Sequence, residues 1–234
     1  MPCIINIETS TKVCSAAVTV DGTVAVQKVC YEGPSHASLL GGYVKELMQF
    51  LKDNRLKADA VAVSSGPGSY TGLRIGVSMA KGLCFGLDVP LISVTTTQLL
   101  AVEVMFNDSV SEDALLCPMI DARRMEVYSA VYDRALSERV PLGAYIIDGE
   151  SFKEVLDSNK VVFFGDGSEK CKSVITHPNA LFLPDIVPLA ANMLPLSERS
   201  FRNGEFEDVA YFQPSYIKEF QATVPKNKVI NTGV

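Results

Sequence analysis

Residues 64–76 read SSGPGSYTGLRIG, with glycine at 66, 68, 72 and 76. The apolar run ADAVAV (58–63) precedes this stretch, and LRIGVSMAKGLCFGL (73–87) continues it. The pattern predicts a buried strand, a glycine turn and a helix, the unit from which an α/β sheet is built. Many phosphate sites begin the same way. Spacing removes the two standard ones. The pattern G-x-x-x-x-G-K-S/T fails because Thr71 or Leu73 stands where the second glycine must be. The dinucleotide pattern G-x-G-x-x-G fails because Gly66, Gly68 and Gly72 are one residue too widely spaced. Two readings remain: a generic anion nest at the helix start, or a turn that needs the positive φ glycine allows.

The helix launched by this loop is apolar almost all round. Its polar side chains Arg74, Ser78 and Lys81 fall in one narrow arc at 100° per residue. Gly72, Gly76, Gly82 and Gly86 lean toward the side of Ile75, Met79 and Leu83. An interior glycine costs about 1 kcal/mol relative to alanine, so close approach of another backbone is expected here. The helix expected over 35–52 is also over-supplied. Leu39, Leu40, Tyr43, Val44, Leu47, Met48, Phe50 and Leu51 cover more of the cylinder than one sheet contact uses. The excess fits packing of the two helices on each other or an interface with another chain.

Working outward, strands are expected at 3–8, 13–20 and 23–30, the last two joined by Asp21-Gly22. The helix at 35–52, the strand ADAVAV, the glycine-loop helix, the strand PLISV (90–94) and a helix at 95–106 follow. The order then recurs. LLCPMID (115–121), MEVYSAVYD (125–133) and GAYIID (143–148) read as strands, GESFKEVLDS (149–158) as a helix and KVVFFGDG (160–167) as a strand. A short helix is expected near 168–175. A longer one is expected within 188–204, broken at Pro195 and ending at Asn203-Gly204. The fold class expected is α/β with two lobes, each β-β-β-α-β-α. One lobe spans 1–106 and the other 107–224, and 225–234 forms a mobile polar tail.

The chain has 234 residues and a net charge of −6, which excludes a global basic field for nucleic acid. The start MPCIINIETS lacks the basic and apolar regions of a signal peptide, and no apolar run is long enough to span a membrane. A cytoplasmic protein is expected. The six cysteines form no C-x-x-C pair and read as buried free thiols.

Catalytic chemistry is thin. His36 and His177 are the only histidines, far apart in the chain, and build neither H-x-x-x-H nor H-E-x-x-H. His36 reads as a surface or interface residue and His177 as a solvated loop residue. No G-x-S-x-G is present, and Ser69 has no base visible in sequence. Glu8 and Asp121 each close the first strand of a half. They read either as carboxylates facing a shared cleft or as strand-end caps, Asp121 with Arg123 or Arg124 beside it.

IINIETSTKVCSAAV (4–18), SSGPGSYTGLRIGVSMAKGL (64–83), PLISVTT (90–96) and IDARRMEVYSAVY (120–132), in this order, resemble the bacterial TsaB family, formerly YeaZ. PSYIK (214–218) resembles its C-terminal signature, while 135–210 matches only in element order. The resemblance implies a fold like actin and the sugar kinases. It implies a non-catalytic subunit for threonylcarbamoyladenosine modification of tRNA, beside the anticodon. Such a subunit pairs with the transferase TsaD, is joined by the ATPase TsaE, and self-associates as a homodimer when TsaD is absent. It meets tRNA only through the complex and no membrane. It holds no cofactor or metal, since ATP and metal belong to its partners. The resemblance maps pairing onto His36, Leu39, Leu40, Tyr43, Leu47, Gly72, Arg74, Ile75, Gly76, Met79, Gly82 and Leu83. It leaves Glu8, Thr9, Asp121 and Arg123 as a degenerate cleft, with Glu8 and TSTKVC in place of a D-x-G phosphate loop. The rival readings are a stand-alone ATPase, a glycoprotease-like peptidase or a small-molecule kinase of the same fold.

Overall fold

The computed structural model describes residues 2–31 and 36–218. Two five-stranded sheets carry the same plan. In the first, β1 (Cys3–Glu8), β2 (Cys14–Val20), β3 (Thr23–Cys30), β4 (Ala60–Gly66) and β5 (Leu91–Thr95) lie in the order β3-β2-β1-β4-β5. In the second, β6 (Leu115–Asp121), β7 (Glu126–Tyr132), β8 (Glu138–Ile146), β9 (Val161–Phe164) and β10 (Ala180–Phe182) lie in the order β8-β7-β6-β9-β10. The first three strands of each sheet pair antiparallel and the last two join in parallel. Asp21 and Gly22 both take positive φ (56° and 75°), as a two-residue hairpin turn matching strand twist requires.

β1 is buried along its whole length because it is a central strand covered on both faces. Ile5 and Ile7 face α1 (His36–Asp53) and α2 (Tyr70–Leu87), together with Leu40, Leu47, Val61, Val63, Val77 and Cys84. Ile4 faces the opposite side, with Ala60, Ala62, Ile92 and Leu99. Leu99 belongs to α3 (Thr96–Met105), which is apolar on two faces for a reason. Leu99 and Val102 pack on the first sheet, while Leu100, Ala101 and Val104 pack on the second with Leu116, Ile120 and Phe164. The buried pair Thr97 Oγ1···Tyr132 OH (2.8 Å) joins the same two layers. The outer face of the second sheet is closed by α4 (Lys153–Ser158) and a single 3₁₀ turn at Glu169–Cys171.

The segment from Ala190 onward, expected in the second lobe, returns to the first sheet. Its 3₁₀ turn (Ala190–Met193) and α5 (Leu194–Asn203) bury Met193 and Leu196 against Ile4 and Ile92. The Ala190 N–H donates to Ser15 Oγ at 2.9 Å, and the Gly22 N–H to Glu198 Oε1 at 2.8 Å. Pro195, expected to break the helix, instead sits in the first turn of α5, just past the 3₁₀ turn, and Gly204 caps the helix in the left-handed region (φ 69°). The repeat is also incomplete. Where α2 joins β4 to β5, the second lobe has only the 3₁₀ turn between β9 and β10, and β10 was not expected from sequence. β8 begins at Glu138 and includes Pro141, which an edge strand tolerates. The tail 225–234 lies outside the described residues.

Candidate functional site

Two concave surfaces meet at the start of α2. The first is a groove of about 720 Å³ along the outer side of that helix, walled by Ala37, Tyr70, Arg74, Ile75, Met79 and Leu83. The helix reaches it because only one of its faces is needed inside. Leu73, Val77, Ala80 and Cys84 are buried on the sheet, each larger side chain contributing about 1.5–3 kcal/mol. Arg74, Ser78, Gly82 and Phe85 face outward. Phe85 is 88% exposed, an aromatic ring left open among the described residues.

The glycines divide accordingly. A side chain on Gly72 would run into the Thr9 carbonyl oxygen, and one on Gly76 into the Thr9 hydroxyl. Thr9 Oγ1 in turn donates to the Gly72 carbonyl at 2.8 Å. These two glycines therefore admit the chain's own β1–β2 loop. A methyl on Gly82 or Gly86 would meet nothing within 4 Å, so these two open to the outside. Of the residues expected at the partner surface, Leu40, Leu47, Gly72 and Gly76 are corrected to the interior, where the sheet and the β1–β2 loop use them. His36 is corrected from the groove to the cleft, at the first position of α1. Its Nε2–H donates to the Thr11 carbonyl at 2.6 Å, and its ring borders the cleft rather than the groove. Leu39 and Tyr43 are half-buried beside the first core. Arg74, Ile75, Met79, Gly82 and Leu83 line the groove, joined by Tyr70, Thr71, Ser78 and Ala37, which the sequence alone did not single out.

The second surface is a cleft of about 660 Å³ between the lobes, bordered by Ser10, Lys12, Ser69, Asp121, Arg123 and Asp166. The glycine loop faces it but is already occupied from within. The Ser69 N–H donates to the Ser10 carbonyl at 2.6 Å. Gly68 leaves no space for a side chain against that same carbonyl. Ser69 caps α2, its hydroxyl accepting from the Gly72 N–H at 3.3 Å. The acidic groups are similarly engaged. Asp121 accepts from the Arg123 N–H at 3.1 Å and pairs with Lys170, not with an arginine side chain. Asp166 accepts from the Asp121 N–H at 3.0 Å, and burial raises its pKa. Arg123 and Arg124 make the β6–β7 turn at positive φ (70° and 50°), a conformation unusual for such side chains.

Glu8 and Thr9 are corrected out of the cleft. Glu8 is fully buried beneath the β1–β2 loop, and Oε1 accepts from the Ser10 N–H at 2.5 Å. Burial pushes its carboxyl up to about 7. The hydroxyls of Ser10 and Ser64 are buried beside this carboxyl and partly offset its rise. Among the described residues no group of three or more His, Cys, Asp or Glu side chains is placed to hold a metal ion. None of the described helices is long and apolar enough to cross a membrane.

With this geometry in hand, comparison places the chain among known proteins. The family model for TsaD, tRNA N6-adenosine threonylcarbamoyltransferase, matches residues 33–226. The tRNA threonylcarbamoyladenosine biosynthesis protein TsaB of Escherichia coli (strain K12) is 29% identical over 230 residues, spanning 92% of this chain and 94% of that one. The protein of the same name from Bacillus subtilis (strain 168) is 28% identical over 225 residues, spanning 94% and 95%. In structure, YeaZ from Pseudomonas aeruginosa superposes with a TM-score of 0.76 at 24% identity, covering 92% of this chain and 100% of that one. A Pseudomonas aeruginosa protein described as similar to peptidase YeaZ reaches 0.80 at 23% identity, covering 93% and 100%. Both share the two-lobed fold.

Proposed function

We propose a function from the premise that this chain belongs to the TsaD-type tRNA N6-adenosine threonylcarbamoyltransferase family, in its TsaB (YeaZ) group. It serves threonylcarbamoyladenosine modification of tRNA. Its part is that of a non-catalytic subunit. It pairs with the transferase TsaD in the cytoplasm, is joined there by TsaE, and pairs with itself when TsaD is absent. ATP, metal and direct tRNA contacts belong to the partners.

The observation that carries this reading is the uncovered outer side of α2. An apolar groove on this helix, with Phe85 almost fully exposed further along the same helix, is costly in water and is relieved by a partner. The phosphate-loop reading lacks comparable support, because the loop's glycines receive Thr9 and Ser10. The peptidase reading finds no activated nucleophile at Ser69 among the described residues. His36 Nε2 is committed to a backbone carbonyl, and Ser69 caps a helix.

The test is reconstitution from this chain, its cognate TsaD and TsaE, tRNA, ATP and threonylcarbamoyl-adenylate, omitting each protein in turn. Modification of tRNA is expected to require this chain. Turnover of ATP or peptide by the chain alone at enzyme-like rates overturns the non-catalytic assignment.

A further inference from the structure

β2 and β3 form the outer hairpin of the first sheet, and a cysteine stands at the open end of each strand. Cys14 opens β2, Cys30 closes β3, and the two are direct ladder partners. The register runs on from this pair through Ser15–Val29 and Ala16–Lys28, and its irregularity lies further along, at Val18–Thr19. Directly opposed residues of an antiparallel pair have Cα atoms about 4.5–5.5 Å apart and side chains on the same face. A disulfide takes Cα atoms about 4.4–6.8 Å apart, so the pair lies within bridging span. Cys3 faces Val20 and Cys117 faces Phe163, so no other cysteine on a described strand has a cysteine opposite it.

The two thiols differ in their surroundings. Cys14 is buried, and its pKa is pushed up to about 11, first by desolvation and then by the nearby Cys30 sulfur and Glu8. Cys30 is half-buried. The Tyr43 phenol on α1 is raised by burial and then by the Cys30 and Cys14 sulfurs, so both sulfurs lie toward that helix. Neither cysteine lines the groove or the cleft.

We propose that Cys14 and Cys30 are a dithiol modification site for hydrogen peroxide, closing a cross-strand disulfide that thiols reopen. Cys30, the reachable partner, reacts first. Its thiolate sulfur bonds to one peroxide oxygen, the O–O bond breaks, and the other oxygen leaves as hydroxide and takes up the Cys30 proton as water. Cys30 is then a sulfenic acid. The Cys14 thiolate attacks that sulfur, the S–O bond breaks, and the departing hydroxide takes up the Cys14 proton. Two thiols and one peroxide give one disulfide and two waters, with the sulfurs oxidised and the peroxide reduced. Burial keeps Cys14 from meeting peroxide itself, which makes it the resolving partner. The closed bond fastens β3 to the end of the loop that carries Thr9 and Thr11, on which α2 and His36 rest.

The test treats the folded full chain with hydrogen peroxide, quenches with catalase, unfolds the chain in iodoacetamide and digests it with trypsin without reductant. Lys28 lies between the two cysteines, so trypsin separates them and the disulfide shows as a linked pair of peptides. A Cys14–Cys30 link is expected as the main product, in a chain lighter by two hydrogens, and dithiothreitol is expected to restore both thiols. Cys14→Ser is expected to leave Cys30 as an oxygen adduct, and Cys30→Ser to leave Cys14 reduced under the same treatment. An oxygen adduct at Cys30 as the main product of the parent overturns the proposal, as does a Cys30–Cys30 link between two chains. These products of the parent decide the matter whether or not either variant folds.

Discussion

The Thr9 hydroxyl donates to the Gly72 carbonyl at 2.8 Å, and the two residues meet with no side chain between them. That contact fixes how the β1–β2 loop sits on the first turn of α2. It also explains why two of the helix glycines cannot be anything larger.

Gly76→Ala therefore destabilises the protein. The new methyl meets the Thr9 side chain, and overpacking of this kind costs about 1–3 kcal/mol. Gly82→Ala goes the other way. Its methyl meets open space, and replacing an interior helix glycine adds up to about 1 kcal/mol. Denaturant unfolding of the two single variants checks the contrast. Equal effects of the same sign would remove the distinction between inner and outer glycines.

Phe85→Ser leaves the folded chain's stability near parental, because the ring is 88% exposed. If it is an anchor for a partner, pairing weakens by about 2 kcal/mol, roughly thirtyfold. Calorimetric titration with the transferase reads the loss. Parental affinity would exclude Phe85 from the interface.

Glu8 makes stability depend on pH. Its folded-state pKa is raised from 4.5 to about 7 by burial. The folded state therefore holds its proton over a range in which the unfolded chain has lost it. Stability is fully present below about pH 4.5 and falls as pH rises toward 7, by at most about 3 kcal/mol from this group. Glu8→Gln keeps an acceptor for the Ser10 N–H and removes the titration. The variant is expected to be more stable than the parent at pH 8 and similar at pH 4.5. Urea midpoints at the two pH values decide it, and parallel profiles would refute it.

The thiols divide by burial. Cys117 is fully buried and its pKa is pushed up to about 12, and Cys3, Cys14 and Cys84 are pushed up to about 11, chiefly by desolvation. Cys30 alone among the six is half-buried rather than buried. Iodoacetamide at pH 8 is expected to modify Cys30 first and Cys117 only on unfolding, as read by peptide mass spectrometry. Early labelling of Cys117 would contradict its place in the core.

Much of the fold was legible because the strands are short apolar runs with strong punctuation. Asp21-Gly22, the glycine loop and Asn203-Gly204 mark boundaries that local backbone chemistry sets. The direction of the helix faces was not legible. The four helix glycines spread over about 120° of the cylinder, so periodicity groups them without saying which edge the β1–β2 loop touches. Glu8 and Thr9 were misplaced for a related reason. The end of a strand marks where a cleft can lie, but the Ser10 N–H draws the Glu8 carboxylate beneath the loop instead. The stretch 207–215, bound across the first lobe, was invisible because irregular chain held by backbone carbonyls leaves no period in its side chains.

The two halves share one strand plan, but only the first kept a long helix between its fourth and fifth strands. The molecule is therefore lopsided: the groove along α2 has no counterpart helix between β9 and β10 of the second lobe. A body with one such groove can cap another protein or close face to face with its own copy, and then it is finished. A head-to-tail filament, which needs two complementary flanks on each unit, is not available to it through this surface.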